Sequence, residues 1–160
     1  GATMVNDVSA CLWDVAADAE VGWVAMHMRG EPATMQTDAH YDDVVAEVRD
    51  HLVDRARKAR DAGVREVWVD PGIGFAKTPA HNLTLLRHLD VLVAAGFPVM
   101  VGTSRKSFLG RLTAAHPTPE PAADRLEASL ATAAWALSQG ATMLRVHDVA
   151  ATAQLLRLRS

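Results

Sequence analysis

Several features that would direct a reading of this chain are scarce or absent from its sequence. Cys11 is the only cysteine, which excludes a disulfide framework and a cysteine-built zinc site and suits a reducing cytoplasm. The net charge of −3 includes no run of lysine and arginine, so nothing indicates nucleic acid or a membrane surface as a partner. No apolar run reaches the roughly 18 residues of a membrane span, and the N-terminus lacks the basic flank of a signal peptide. We therefore expect a cytoplasmic, globular protein.

Hydrophobic residues make up 49% of the 160 residues, enough for one domain, 1–160, with a sizeable core. Short apolar runs of strand length alternate with longer amphipathic stretches, a pattern typical of a parallel α/β sheet. The predicted strands are 3–6, 23–27, 66–70, 98–102 and 143–146. The predicted helices are 12–20, 42–62, 82–95, 122–139 and 150–158, with Gly63, Gly96 and Gly140 ending three of them.

Polar side chains lie at the end of each of the five predicted strands or directly after it. They are Asn6 and Asp7, His27 to Arg29, Asp70 to Thr78, Thr103 to Ser107, and Arg145, His147 and Asp148. Each has an ordinary explanation as well, since Asp7 or Asp148 could simply cap a helix. Ligands of parallel α/β proteins bind at the carboxyl ends of strands, so five polar strand ends together indicate an enzyme site.

The loop that follows the third strand reads Asp-Pro-Gly-Ile-Gly-Phe-Ala-Lys-Thr. Asp70, at the end of a buried strand, can accept two hydrogen bonds side by side, which suits a ligand with paired N–H donors such as an amino-pyrimidine edge. Gly72 and Gly74 allow close approach of the backbone to a ligand. Phe75 is equally compatible with stacking on a flat ring and with a place in the core.

A second loop, Thr103 to Ser107, is predicted to begin a helix. Free N–H groups, hydroxyls and the charges of Arg105 and Lys106 would favour an anion there. The alternative, that the cations are merely solvated, is reasonable for one of them and less so for both.

Taken in order and spacing, these strand ends resemble the second half of the dihydropteroate synthase family of the folate pathway. The resemblance runs from about Gly1 to the end of the chain, and the D-P-G-x-G-F-x-K and S-R-K-S loops are its most specific parts. It implies a partial (βα)8 TIM barrel with five parallel strands, its C-terminal portion only. It also implies a transferase that condenses (7,8-dihydropterin-6-yl)methyl diphosphate with 4-aminobenzoate, giving 7,8-dihydropteroate and diphosphate, without a protein nucleophile.

The resemblance also assigns roles to residues. Asn6 and Asp70 would bind the pyrimidine edge of the pterin, and Met26 and Phe75 would line its pocket. Lys106 would reach the pterin oxo group and a ring nitrogen, and Ser107 the aminobenzoate carboxylate. Arg145 and His147 would bind the diphosphate, with Arg145 also packing over the pterin.

The sequence also departs from the family pattern in several places. Three N-terminal βα units of the barrel are not found here, including the asparagine that would bind Mg²⁺, so no metal ligand is expected in this chain. Strands 3–6 and 143–146 would then have unpaired edges, and the isolated chain is expected to be inactive. The stretch between Ser9 and Gly22 looks short, with Ala10 and Cys11 where the family has glycines. The full-length enzyme would be a homodimer that uses helix 122–139 and the last helix.

Two other functions stay open beside the synthase. A different pterin-binding barrel, such as a methyltetrahydrofolate methyltransferase, could share Asn6 and Asp70, although the S-R-K-S loop suits an aromatic carboxylate better. A non-catalytic pterin-binding homologue is the third possibility.

Residues 31–37 are compatible with an active-site loop and equally with a plain connection. Four tryptophans are predicted to be core residues, and five histidines surface or packing residues: Trp13, Trp23, Trp68 and Trp135; His40, His51, His81, His88 and His116.

Overall fold

A computed structural model describes residues 1–30 and 39–158, in which strands and helices alternate along the chain. The strands are β1 (Met4–Asp7), β2 (Gly22–Met26), β3 (Val67–Asp70), β4 (Met100–Val101) and β5 (Met143–Leu144). The helices are α1 (Trp13–Asp18), α2 (Val44–Asp61), α3 (Pro79–Arg87), α4 (Leu89–Val93), α5 (Ser107–Thr113), α6 (Leu126–Ser138) and α7 (Val149–Arg157). All five predicted strand positions are confirmed. The predicted loop at 31–37 lies outside the described residues.

The strands are parallel and follow one another in chain order. β1, β2 and β3 form one ladder and β4 with β5 a second. A parallel bridge between Val69 and Val99 joins the two, and the Val69 N–H donates to the Pro98 carbonyl at 3.0 Å. Sequential order without reversal is the order of a (βα)8 barrel, whereas doubly wound sheets reverse direction at a switch point.

Helix α2 shows why the sequence folds as it does. The Asp43 carboxylate accepts from the N–H groups of Val45 and Ala46, and so caps the helix. Its buried face holds Val44, Val48, Leu52, Ala56 and Ala59. Val45, which its helical spacing from Val48 and Leu52 also predicts on that face, is only partly buried. At the other end, Gly63 takes a φ of +95° and its N–H donates to the Arg60 carbonyl, the glycine C-terminus predicted from the sequence.

Some predicted elements are wrong in extent. The helix predicted over 82–95 is two helices, α3 and α4, separated at His88, where φ is −111° and ψ is 32°. The helix predicted from residue 122 begins as a 3₁₀ turn, Ala122–Asp124, before α6. β4 and β5 are two residues each, shorter than predicted.

The core lies between the sheet and the helices, with β2 buried along its whole length. Trp23 is fully buried, and its indole N–H donates to the Asp7 carboxylate at 3.1 Å. Trp135, predicted in the core, is instead 46% exposed; its indole N–H donates to the Leu86 carbonyl at 2.7 Å. None of the helices in the described ranges is both long and apolar enough to cross a membrane.

Candidate active site

The carboxyl ends of the strands surround a cleft of about 70 Å³. Its walls include all six residues predicted to bind the pterin: Asn6, Met26, Asp70, Phe75, Lys106 and Arg145. Four more residues, which the sequence analysis did not assign to the pterin pocket, complete the walls: Val8, Gly72, Ile73 and Gly102. The parallel register explains the convergence, since Met26 and Asp70 are directly paired on β2 and β3.

Asp70 is the buried acid of this cleft. It is 5% exposed, and its Oδ1 accepts the Gly72 N–H at 2.8 Å. Burial raises the pKa of Asp70 to about 6, while the Gly72 hydrogen bond and the charges of Lys106, Lys77 and Arg145 act in the opposite direction. At neutral pH the group is therefore mainly a carboxylate, able to accept hydrogen bonds from a ligand.

Lys106 faces Asp70 as the cation of the cleft. Its Nζ lies 3.8 Å from the centroid of the Phe75 ring, a cation–π contact. Burial lowers the pKa of Lys106 to about 8, opposed by the charge of Asp70 and aided by that of Arg145. Phe75 is only half-buried and lines the cleft, so it is not a core residue, and its stacking on a flat ring stays a prediction.

Lys77, the lysine of the D-P-G-x-G-F-x-K pattern, has a different role from Lys106. It is 3% exposed, and its Nζ donates to the carbonyls of Gly72 (3.1 Å) and Phe75 (3.0 Å). The Nζ also lies 3.0 Å from Nδ1 of His27. Burial, followed by the charge of Lys77, lowers the pKa of His27 to about 2, so this ring is neutral and its Nδ1 can accept. Lys77 thus holds the loop against the end of β2.

The loop after β3 passes so close to His27, at the end of β2, that position 72 requires glycine. Its φ is +66°, and a Cβ added there would lie 1.9 Å from the carbonyl oxygen of His27. Any other residue would push the loop that carries Phe75 away from β2. Arg29, from the motif after β2, does not line the cleft; its guanidinium lies 4.3 Å over the Tyr41 ring and pairs with Glu47.

Ser107 lies beside the cleft that contains Asp70, in a neighbouring cleft of about 470 Å³. Gly74, Lys77, Asn82 and Arg111 are among the other residues of its walls. Ser107 is the first residue of α5. The residue predicted to bind aminobenzoate therefore lies next to the residues predicted to bind the pterin, in an adjoining cleft.

The predicted diphosphate residues lie on the loop after β5. Arg145 is exposed and borders the cleft. His147 lies farther along the loop, where its backbone N–H donates to Ser104 Oγ at 3.1 Å and its Nδ1 is 3.1 Å from the same oxygen. Arg105, predicted to add charge for an anion, instead pairs with Asp148. Asp148 makes no side-chain cap to α7, so its alternative role as a cap is wrong.

Asp7 has the ordinary role that the sequence left open. Its carboxylate accepts the N–H groups of Ser9, Cys11 and Leu12, at 2.7–2.9 Å, and so organises the turn before α1. Burial acts to raise the pKa of Asp7, but the hydrogen bonds from the Ser9 hydroxyl and from these three N–H groups hold it below its usual value. Its neighbour Asn6 is exposed and makes no side-chain hydrogen bond to the described residues, which leaves its amide available in the cleft.

The chain is similar to known proteins over nearly all of its length. The model of the pterin binding enzyme family matches residues 1–147. Dihydropteroate synthase of Synechocystis sp. is 42% identical over 99% of this chain and 56% of its own length. The enzyme of Mycobacterium leprae is 45% identical over 99% of this chain and 59% of its own length.

A crystal structure gives the same result for the fold. Dihydropteroate synthase from Thermus thermophilus, in complex with 6HMPPP, superposes with a TM-score of 0.93 and 45% identity, over 99% of this chain and 63% of that one. The chain thus spans a little over half the length of the curated relatives it matches, and it has the fold of part of a TIM barrel. Because the model of the pterin binding enzyme family matches residues 1–147, this chain belongs to that family.

Proposed function

We propose that this chain forms the pterin-binding side of a dihydropteroate synthase active site of folate biosynthesis. The reaction joins 4-aminobenzoate to (7,8-dihydropterin-6-yl)methyl diphosphate and releases diphosphate. The observation that carries the proposal is the single cleft that unites Asn6, Asp70, Lys106 and Arg145 with Met26 and Phe75. Relatives at 42–45% identity are dihydropteroate synthases, which supports the same assignment.

The pterin fits the charges and shape of the cleft. The Asp70 carboxylate and the Asn6 amide would bind the amino-pyrimidine edge, because that edge presents paired donors and an acceptor. Lys106 would donate to the pterin oxo group and ring nitrogen from its place over Phe75. Met26 and Phe75 would contact the flat ring, with Arg145 packing over its face.

The second substrate and the leaving group would occupy the adjoining surfaces. Ser107 would bind the carboxylate of 4-aminobenzoate in the neighbouring cleft. Arg145 and His147 would bind the diphosphate on the loop after β5. The crystal structure of the T. thermophilus enzyme in complex with 4-aminobenzoate superposes on this chain with a TM-score of 0.93, which supports a similar backbone around the second substrate.

The chemistry needs no nucleophile from the protein. The amine nitrogen of 4-aminobenzoate attacks the methylene carbon, the carbon–oxygen bond to diphosphate breaks, and the amine loses a proton. Lys106 and Arg145 would stabilise the charges of the oxo group and the departing diphosphate. Catalysis would then consist mainly of positioning and electrostatic stabilisation.

The family resemblance also implies Mg²⁺ on the diphosphate. Among the described residues, no group of three or more His, Cys, Asp or Glu side chains could hold a metal ion. The side chains of residues 1–30 and 39–158 therefore do not form a metal site of this kind, and no step of the proposed reaction is assigned to the metal.

Two further properties belong to the proposal. We infer that the full-length enzyme is a homodimer that uses α6 and α7, which is supported by apolar side chains exposed there: Trp135, Val149, Leu156 and Leu158. We also place the protein in the cytoplasm, which suits its single, exposed and unpaired cysteine, Cys11.

A binding experiment tests the proposal without requiring turnover. Isothermal calorimetry would measure the affinity of the 160-residue chain for dihydropterin diphosphate, in the wild type, Asp70→Ala and the control Asp90→Ala, an exposed acid on α4. Loss of a charge-assisted hydrogen-bonded pair should weaken binding about 10- to 100-fold in Asp70→Ala only. Equal affinities of the three proteins would contradict the proposal.

A further inference from the structure

Arg105 belongs to the S-R-K-S loop yet does not line the cleft that the loop serves. Its guanidinium reaches the loop after β5, where it pairs with Asp148, with Nε 3.0 Å from Oδ2. The guanidinium contacts both carboxylate oxygens, the geometry in which an Arg–carboxylate pair is most directional. The ion pair therefore connects the two loops that carry the cations of the site.

The backbone of Arg105 is held in an unusual conformation. Its φ is +58°, in the left-handed region that a residue with a Cβ adopts only when its surroundings impose it. Its N–H donates to Ser129 Oγ at 3.0 Å, and its carbonyl accepts from Arg125 Nη1 at 2.8 Å. Three partners thus fix this one residue, two on its backbone and one on its side chain.

This turn sets the direction of the next residue, Lys106. The Lys106 N–H donates to the Thr103 carbonyl at 3.1 Å, and the side chain then extends over Phe75 into the cleft. One residue before the turn, Ser104 Oγ accepts the His147 N–H. The β4–α5 loop and the β5–α7 loop are therefore joined at two consecutive residues directly before Lys106, through Ser104 to His147 and through Arg105 to Asp148.

We propose that Arg105 is a positioning residue: through Asp148 it locks the β4–α5 loop to the β5–α7 loop and thereby holds Lys106 over Phe75 and beside Asp70. It touches no substrate in this assignment. The consequence for pterin binding rests on the proposed function. The positional claim itself concerns only this chain.

A measurement without ligand tests the positional claim. The sequence has three lysines, Lys58, Lys77 and Lys106, so a ¹³C-labelled lysine sample gives three side-chain signals to titrate by NMR. In Asp148→Asn we expect the pKa of Lys106 to rise from about 8 by about one pH unit, towards its ordinary value, as the ammonium gains solvent. Loss of a nearby negative charge would by itself move that pKa downward, so a rise reports displacement. Lys58 and Lys77 should not change.

Rescue and a matched control complete the test. The double variant Arg105→Asp with Asp148→Arg restores the pair with reversed charges, and aspartate tolerates a left-handed φ, so the Lys106 pKa should return towards about 8. Asp50→Asn, which breaks the exposed Arg49–Asp50 pair on α2, should leave it unchanged. Arg105→Lys keeps the positive charge but cannot contact both carboxylate oxygens of Asp148 as the guanidinium does, so the Lys106 pKa should be intermediate. An unmoved or lowered Lys106 pKa in both Asp148→Asn and Arg105→Lys would overturn the proposal.

The same variants give a separate binding result. For dihydropterin diphosphate we expect about tenfold weaker affinity in Asp148→Asn, recovered in the charge-reversed pair and unchanged in Asp50→Asn. Wild-type protein that binds no pterin diphosphate would count against the proposed function, while the lysine titration would still decide the role of Arg105. Normal pterin affinity in Asp148→Asn would overturn the link from Arg105 to the site.

Discussion

Ionisation of the buried Asp70 carboxyl lowers the stability of the folded chain. Its pKa is about 6 in the folded chain and 3.8 as the ordinary value, so the folded state binds more protons between these two pH values. Stability therefore falls as pH rises from about 4 to about 6, and the loss persists above that range. A difference of about two pH units corresponds to about 3 kcal/mol.

We predict that Asp70→Asn stabilises the ligand-free chain while it weakens pterin binding. The amide keeps an acceptor for the Gly72 N–H and removes the buried charge. Urea unfolding should show a gain of about 2–3 kcal/mol at pH 7.5 and little change at pH 4. A variant less stable than the wild type at pH 7.5 would show that the carboxylate is not a source of strain.

The affinity for pterin diphosphate should depend on pH in a bell-shaped manner. Binding that uses the Asp70 carboxylate strengthens as pH rises through about 6, and binding that uses the Lys106 ammonium weakens as pH rises through about 8. We therefore expect the highest affinity between these values, measured by calorimetry from pH 5 to 9. In Lys106→Met the alkaline limb should disappear; an alkaline limb that persists there would assign it to another group.

Single residues differ in how far the sequence reveals their role. Asp70, Lys106 and Arg145 could be predicted as one site because each lies at the carboxyl end of a strand or in the loop after it, and parallel strands bring those ends together. The role of Arg105 could not, since its partner Asp148 is 43 residues away and the pattern S-R-K-S suggests only positive charge. Lys77 is one more loop residue in the sequence, and only the buried carbonyls that accept from it reveal its role.

Three helices, α1, α2 and α6, end in the same backbone conformation, but one of them does so without a glycine. Gly63 after α2 and Gly140 after α6 take positive φ values, and the next residue donates back into the last helical turn. α1 ends with the same bonds, from Glu20 to the Ala17 carbonyl and from Val21 to that of Ala16, but a glutamate with φ +52° occupies the glycine position. The left-handed conformation is unfavourable there because of the Cβ.

We predict that Glu20→Gly stabilises the chain by about 1 kcal/mol, as the left-handed strain at the end of α1 is relieved. Glu20 is exposed, so no core packing is lost. Glu20→Ala, which removes the carboxylate but keeps the Cβ, is the control and should not share the gain. Equal midpoints of thermal unfolding for the two variants would assign the effect to the charge.

Long, strongly periodic elements follow from sequence better than short ones. α2 has 18 residues with a regular buried face and a capping Asp43, and its prediction is close at both ends. The division between α3 and α4 at His88 has no proline or glycine to announce it. The short β4 and β5 depend on pairing partners far along the chain, which local pattern does not supply.

At the scale of the whole molecule, the cleft is open at two strands. β1 pairs only with β2 and β5 only with β4 within residues 1–30 and 39–158. A synthase must exclude water and hold two substrates together. We predict that the 160-residue chain alone binds pterin diphosphate without measurable formation of dihydropteroate, assayed with radiolabelled 4-aminobenzoate. Turnover retained by Asp70→Ala would identify a contaminating enzyme, and turnover lost in that variant would contradict the prediction.

The edge of β5 predicts how the isolated chain behaves in solution. The N–H groups of Met143 and Arg145 donate to the carbonyls of Val99 and Val101 on the β4 side. Because alternate residues of a parallel strand face opposite neighbours, the Leu144 N–H points to the open edge. Open edges pair readily with other chains, so sedimentation should show association that increases with concentration.

Leu144→Pro removes that outward donor and leaves the bonds to β4 in place, so it should shift the chain towards monomer. Leu144→Ala keeps the donor while it loses the side chain that packs against the core, and it should still associate. Met143→Pro, which removes a bond to β4, should destabilise the fold instead. If the proline and alanine variants at position 144 associate equally, the contact between copies does not run through this edge but through exposed apolar side chains such as Val149 and Leu158.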